Sequence, residues 1–115
     1  MKALAGLAIG LGLAFFLPLL PAQSDKDSDP PKGDAKAGSM VFEDKCTECH
    51  NSDSEETKTG PGLKGVKEGK LPSGRKSNRE NILEILTEGR DEMPPFKDVL
   101  TEKQKEDVIA FVLTL

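Results

Sequence analysis

Apolar positions recur at helical spacing in three stretches of this chain, and no stretch alternates as a half-buried strand would. The first stretch carries Gly38, Phe42, Cys46 and Cys49 at steps of four, four and three. That spacing predicts a helix presenting both cysteines on its packing face, with Asp34 as its N-cap. Ser77 and Glu80 predict a capping box for a second helix, apolar at Ile82, Leu83, Ile85 and Leu86 and closed by a left-handed Gly89. Thr101 and Gln104 predict a third, with Val108, Phe111, Val112 and Leu115 as one stripe. A Gly-, Lys- and Pro-rich connection joins the first helix to the second. The expected fold is all-α, with three main helices and long loops. Connections this long are unusual in a compact domain unless they enclose something.

The N-terminus follows a different pattern. Lys2 precedes an uncharged apolar run from Ala3 to Leu20, then Pro21 and Ala22, which has the form of a secretory signal peptide over residues 1–22. A membrane anchor is the alternative, although the run is at the short end of what spans a bilayer and Pro18 interrupts it. Residues 23–33 lack any apolar side chain except prolines and read as a disordered tether. The globular domain is expected over 34–115. Either N-terminal reading exports it, to the periplasm or to the outer face of the inner membrane.

Charge narrows the functional classes. The net charge is −4, and losing residues 1–22 removes one lysine, giving −5. Nucleic-acid binding needs a broad basic surface, so it is not expected here. Tyr and Trp are absent and all five aromatics are Phe, which leaves a small core short of bulk. Domains of this size commonly need a staple beyond their apolar core.

The staple is legible at Cys46-Thr47-Glu48-Cys49-His50. In an exported protein a Cys-x-x-Cys-His run reads as covalent haem attachment, one thioether from each cysteine and the adjacent imidazole on the iron. A disulfide between the cysteines would close too little chain to brace a fold. A zinc site would need four ligands where three are offered. A thioredoxin-like pair would need a βαβ framework that the pattern lacks. His50 is the only histidine, so the opposite face of the iron needs another donor. Met40 lies six residues before Cys46 on the same helix, and Met1 belongs to the leader, which leaves Met93. Pro94 and Pro95 follow it and stiffen the loop that would present its thioether.

With these elements in order, the stretch from Asp34 to Leu115 resembles the class I c-type cytochromes. Gly38 and Phe42 stand where that family keeps a glycine and an aromatic for contact with its last helix, and Val108 and Phe111 resemble their partners. Gly60-Pro61-Gly62-Leu63 is similar to the family's Gly-Pro-x-Leu loop, and Met93-Pro94-Pro95-Phe96 to its methionine loop. The resemblance implies a small cytochrome c fold, a haem c cofactor, and iron ligation by His50 and Met93. It also implies that the Pro61 carbonyl accepts the far imidazole proton of His50. The tryptophan or tyrosine that often holds a haem propionate is missing, and Arg75 is the candidate replacement. The function implied is one-electron transfer by a monomer, between partners such as a quinol-oxidising complex and a terminal oxidase or reductase. A haem-based sensor or peroxidase-like enzyme is the alternative if Met93 is displaceable. Lys64, Lys67, Lys70, Arg75, Lys76 and Arg79 crowd one connection and would suit an acidic partner.

Overall fold

The computed structural model describes residues 31–115, together with positions 6, 10, 12–14 and 18. Most of the leader, or membrane anchor, expected over 1–22 and most of the tether expected over 23–33 fall outside the described residues. No helix among the described residues is long and apolar enough to cross a membrane.

Among the described residues three helices form, α1 (Ala35–Lys45), α2 (Arg79–Glu88) and α3 (Glu102–Val112), with one 3₁₀ turn at Val66–Glu68. Asp34 caps α1 by accepting from the backbone N–H groups of Lys36 (2.8 Å) and Ala37 (3.3 Å). Thr101 and Gln104 form the reciprocal box that opens α3. At α2 the cap differs from expectation. Asn78, not Ser77, accepts from the Asn81 N–H at 2.9 Å, while the Ser77 hydroxyl donates to the Val66 carbonyl at 2.6 Å. Asparagine is as good a cap as serine, and Ser77 is taken by a backbone acceptor in the preceding loop.

α1 packs on α3 at a point where no side chain fits between the backbones. A Cβ on Gly38 would overlap the Asp107 carbonyl. Next to this crossing the rings of Phe42 and Phe111 meet at 5.3 Å, tilted by 58°. Phe42, Val66, Leu71, Ile82, Leu86, Leu100, Val108, Ile109 and Val112 form the buried core. Ile109, outside the expected stripe, is fully buried. α3 is covered from two sides, so its apolar face is wider than one stripe.

Polar contacts fix the remaining angles. Arg79, at the start of α2, forms a two-pronged ion pair with Glu106 of α3, both side chains largely buried. Asp107 accepts from the Asp34 backbone N–H at 2.9 Å and pairs with Lys103 Nζ at 2.7 Å. A Cβ on Gly33 would overlap the Glu106 carbonyl, so close packing on α3 starts one residue before the expected domain boundary.

The Asp34 N–H, with Lys103 next, holds the Asp107 carboxyl below the usual carboxylate range. A depressed folded-state pKa contributes stability that is present above the unfolded pKa and lost as pH falls through the folded one. Asp107→Ala is therefore expected to cost about 1–3 kcal/mol at neutral pH. The penalty should shrink once the pH drops below the ordinary carboxylate range. Urea melts of both proteins at neutral and acid pH check this, and a penalty independent of pH would refute it.

Candidate functional site

α1 does not extend through the cysteines. It ends at Lys45, and Cys46 is its C-cap. The Cys46 and Thr47 N–H groups both donate to the Phe42 carbonyl, at 2.8 and 3.1 Å, so the helix unwinds there. Two side chains draw the turn out of helical register. Thr47 Oγ1 donates back to the Glu43 carbonyl at 2.8 Å, and Lys58 Nζ donates to the Thr47 carbonyl at 2.7 Å. A tighter turn follows, with the Cys49 and His50 N–H groups both donating to the Cys46 carbonyl. The helical spacing that suggested a shared face thus holds only up to Cys46.

The loop after the motif folds back beneath His50. Gly60 N–H donates to the Cys49 carbonyl at 2.7 Å, and Leu63 N–H to the Asn51 carbonyl at 2.8 Å. This brings the Pro61 carbonyl to 2.7 Å from His50 Nδ1. A carbonyl only accepts, so Nδ1 carries a proton, and in that tautomer of the neutral ring it is Nε2 that offers a lone pair. Gly60 makes the approach possible, because a Cβ there would lie 2.6 Å from His50 Cε1.

Facing this turn is a cavity of about 800 Å³. Cys46, Cys49 and His50 line it from the first segment and Pro61 and Leu63 from the loop. Ile82, Ile85 and Leu86 of α2, Val108 and Val112 of α3, and Met93 with Pro94 and Phe96 complete the walls. The size and apolar lining are those of a cofactor site. The donors suit haem: an imidazole whose Nδ1 is held by Pro61, a thioether, and two thiols not joined in a disulfide. Burial, with Cys49 beside it, pushes the Cys46 thiol up to about 11. A thiol poised for redox exchange needs the opposite shift. Among the described residues no cluster of three His, Cys, Asp or Glu side chains could hold a metal ion.

Of the expected site residues, Cys46, Cys49, His50, Pro61 and Met93 meet at this cavity, and Arg75 does not line it. The Arg75 guanidinium is instead on Glu84, at 2.9 and 3.4 Å, and on Asn81 Oδ1 at 2.6 Å. Glu84 and Asn81 lie one α-helical turn apart on α2, where both face the Arg75 guanidinium. The basic connection is likewise muted, since Arg75 and Arg79 are both paired within the domain. None of its six cations lines the cavity, whose charged residues are Lys45, Glu48, Arg90, Asp91 and Glu92. Two contributors escaped sequence reasoning. Lys58 carried no signal in the pattern, whereas Gly60 sat in the quoted loop and was legible as a place for close approach.

The family model described as cytochrome c oxidase, cbb3-type, subunit III matches residues 33–112. Cytochrome c type-1 of Ascaris suum is 34% identical over 90 residues, covering 67% of this chain and 80% of that protein. Cytochrome c6 of Leptolyngbya boryana is 35% identical over 80 residues, covering 70% of this chain and 91% of that protein. The solved structure of cytochrome c6 from the diatom Phaeodactylum tricornutum superposes with a TM-score of 0.58 at 26% identity, covering 71% of this chain and 93% of its own.

Proposed function

The chain belongs to the class I c-type cytochromes, and from that premise we propose that Cys46, Cys49, His50 and Met93 are the residues that hold its haem. Membership makes it an electron carrier with covalently bound haem c, not an enzyme, and its partners are redox proteins. When bound, the haem supplies the one-electron couple. The observation that carries the residue assignment is the 2.7 Å hydrogen bond from His50 Nδ1 to the Pro61 carbonyl, with Nε2 left as a donor at a cavity that Met93 also lines.

Each residue then has a defined task. Cys46 and Cys49 would hold the haem covalently, each through one thioether. Pro61 fixes the His50 tautomer and ring orientation and raises its basicity as a ligand. Met93 offers a soft thioether that favours ferrous iron and a positive potential. The apolar walls exclude water and disfavour the extra charge of the ferric state. Ligation by both His50 and Met93 would leave no open position for a substrate, which separates this reading from a sensor or peroxidase.

Residues 1–22 act in this reading as an export leader, and the carrier works as a monomer in an exported compartment, between a quinol-oxidising complex and a terminal oxidase or reductase. The oxidase side draws support from the description of the matching family. Tryptic digestion of the mature protein tests the attachment residues. Cleavage after Lys45 and Lys58 isolates both cysteines on one peptide, which is expected to carry the mass of one haem. Recovery of that peptide unmodified, with both thiols open to alkylation, would refute the assignment.

A further inference from the structure

Met93 is presented by a segment whose backbone is constrained from both ends. Arg90 and Met93 exchange two hydrogen bonds, Arg90 N–H to the Met93 carbonyl at 3.1 Å and Met93 N–H to the Arg90 carbonyl at 2.8 Å. Only Asp91 and Glu92 lie between them, so this is a closed two-residue turn, and Asp91 takes φ +51° at its first central position. Such turns require a positive φ there. Asp91 is the one non-glycine with positive φ among the described residues, and aspartate tolerates that region better than most. Its side chain is almost fully exposed, with an ion pair to Arg90 Nε at 3.7 Å.

The other constraint comes from Gly89. It ends α2 with φ 72° and ψ 176°, a conformation open essentially to glycine alone and not the left-handed helical one expected. A Cβ there would meet backbone only: the Met93 carbonyl at 2.6 Å, Pro95 N at 2.9 Å and the Pro94 carbonyl carbon at 3.1 Å. The end of α2 therefore lies directly against the chain that carries the thioether. Past the prolines, Phe96 N–H closes the segment onto the Leu86 carbonyl at 2.7 Å.

We propose that Gly89 and Asp91 are positioning residues for Met93, holding its sulfur ready for the iron so that outside ligands compete poorly with it. The inference rests on the reading of Met93 as an iron ligand. It follows because the two residues act on backbone alone. Gly89 lets the turn lie flat on α2, and Asp91 accepts the φ that closes it. A preorganised ligand loses less freedom on binding than a mobile one, so its competitive advantage depends on that backbone.

The test is imidazole titration of the ferric, haem-loaded protein, followed by loss of the far-red iron–sulfur band. Gly89→Ala is expected to weaken the band and tighten apparent imidazole binding on the order of tenfold. Asp91→Val places a β-branched residue at positive φ and should act in the same direction, whereas Asp91→Gly should match wild type. Both Asp91 variants remove the same charge and the same ion pair, so their difference isolates the backbone. If Gly89→Ala does not fold, the Asp91 pair decides alone. Wild-type imidazole affinity in Gly89→Ala and Asp91→Val overturns the proposal, as does equal weakening in Asp91→Val and Asp91→Gly. A wild-type protein with no far-red band would instead overturn the Met93 reading itself, and this inference with it.

Discussion

Met93→Ala is expected to remove the sixth iron ligand while leaving the fold in place. The side chain is only half-buried and lies at the edge of the core, and the loop around it is pinned independently through the Phe96–Leu86 hydrogen bond and two prolines. Truncation therefore costs packing at one cavity wall without freeing the segment. The chemical effect is much larger. A vacant or water-filled position no longer favours ferrous iron as a thioether does, so the potential should fall by about 0.1–0.3 V within the ~0.8 V range that axial ligands span. Carbon monoxide should bind the reduced variant rapidly. Potentiometric titration and carbon monoxide difference spectra check both effects. An unchanged potential would mean that Met93 is not on the iron.

The second large effect belongs to the fold. Gly38→Ala is expected to destabilise the domain although alanine is the better helix former. In an exposed helix the exchange would stabilise by about 1 kcal/mol. Here the added methyl would overlap the Asp107 backbone carbonyl and lie 3.0 Å from Phe111 Cβ. Backbone cannot rotate aside as a flexible side chain can, so α1 and α3 must separate. That separation strains the Phe42–Phe111 contact and the Asp34–Asp107 hydrogen bond together. Overpacking of this kind costs about 1–3 kcal/mol or more, which outweighs the gain in helix propensity. Denaturant unfolding of the haem-loaded proteins decides by sign alone, since a more stable variant would show that the crossing is looser than its geometry.

What was legible in the sequence was whatever depends on local periodicity or on a chemically exacting motif. All three helices and the caps at Asp34 and Thr101 are of this kind, whereas the meeting of Gly38 and Phe42 with the last helix was expected from the family resemblance. Cys46, Cys49, His50 and Met93, singled out by their chemistry, and Pro61, singled out by the family resemblance, line one cavity. The failures share a cause. Ser77 and Asn78 are both good caps, and the choice was made by the distant Val66 carbonyl. Arg75 had a free guanidinium in sequence, and Glu84 with Asn81 claims it only once α2 has packed against the loop. The helix was expected to reach Cys49, but the Lys58 ammonium, arriving from the following loop, helps unwind it after Lys45. In each case a contact distant in sequence decided between options that were locally equivalent.

A six-coordinate haem held by His50 and Met93, as proposed, would make this domain a carrier with no open site. Visible spectra of the mature protein test it most directly, recorded oxidised, reduced, and reduced under carbon monoxide. The expected result is a low-spin spectrum in both states, a weak far-red iron–sulfur band when oxidised, and no change on adding carbon monoxide. A high-spin spectrum, or rapid carbon monoxide binding by the reduced protein, would contradict it and leave the sixth position open.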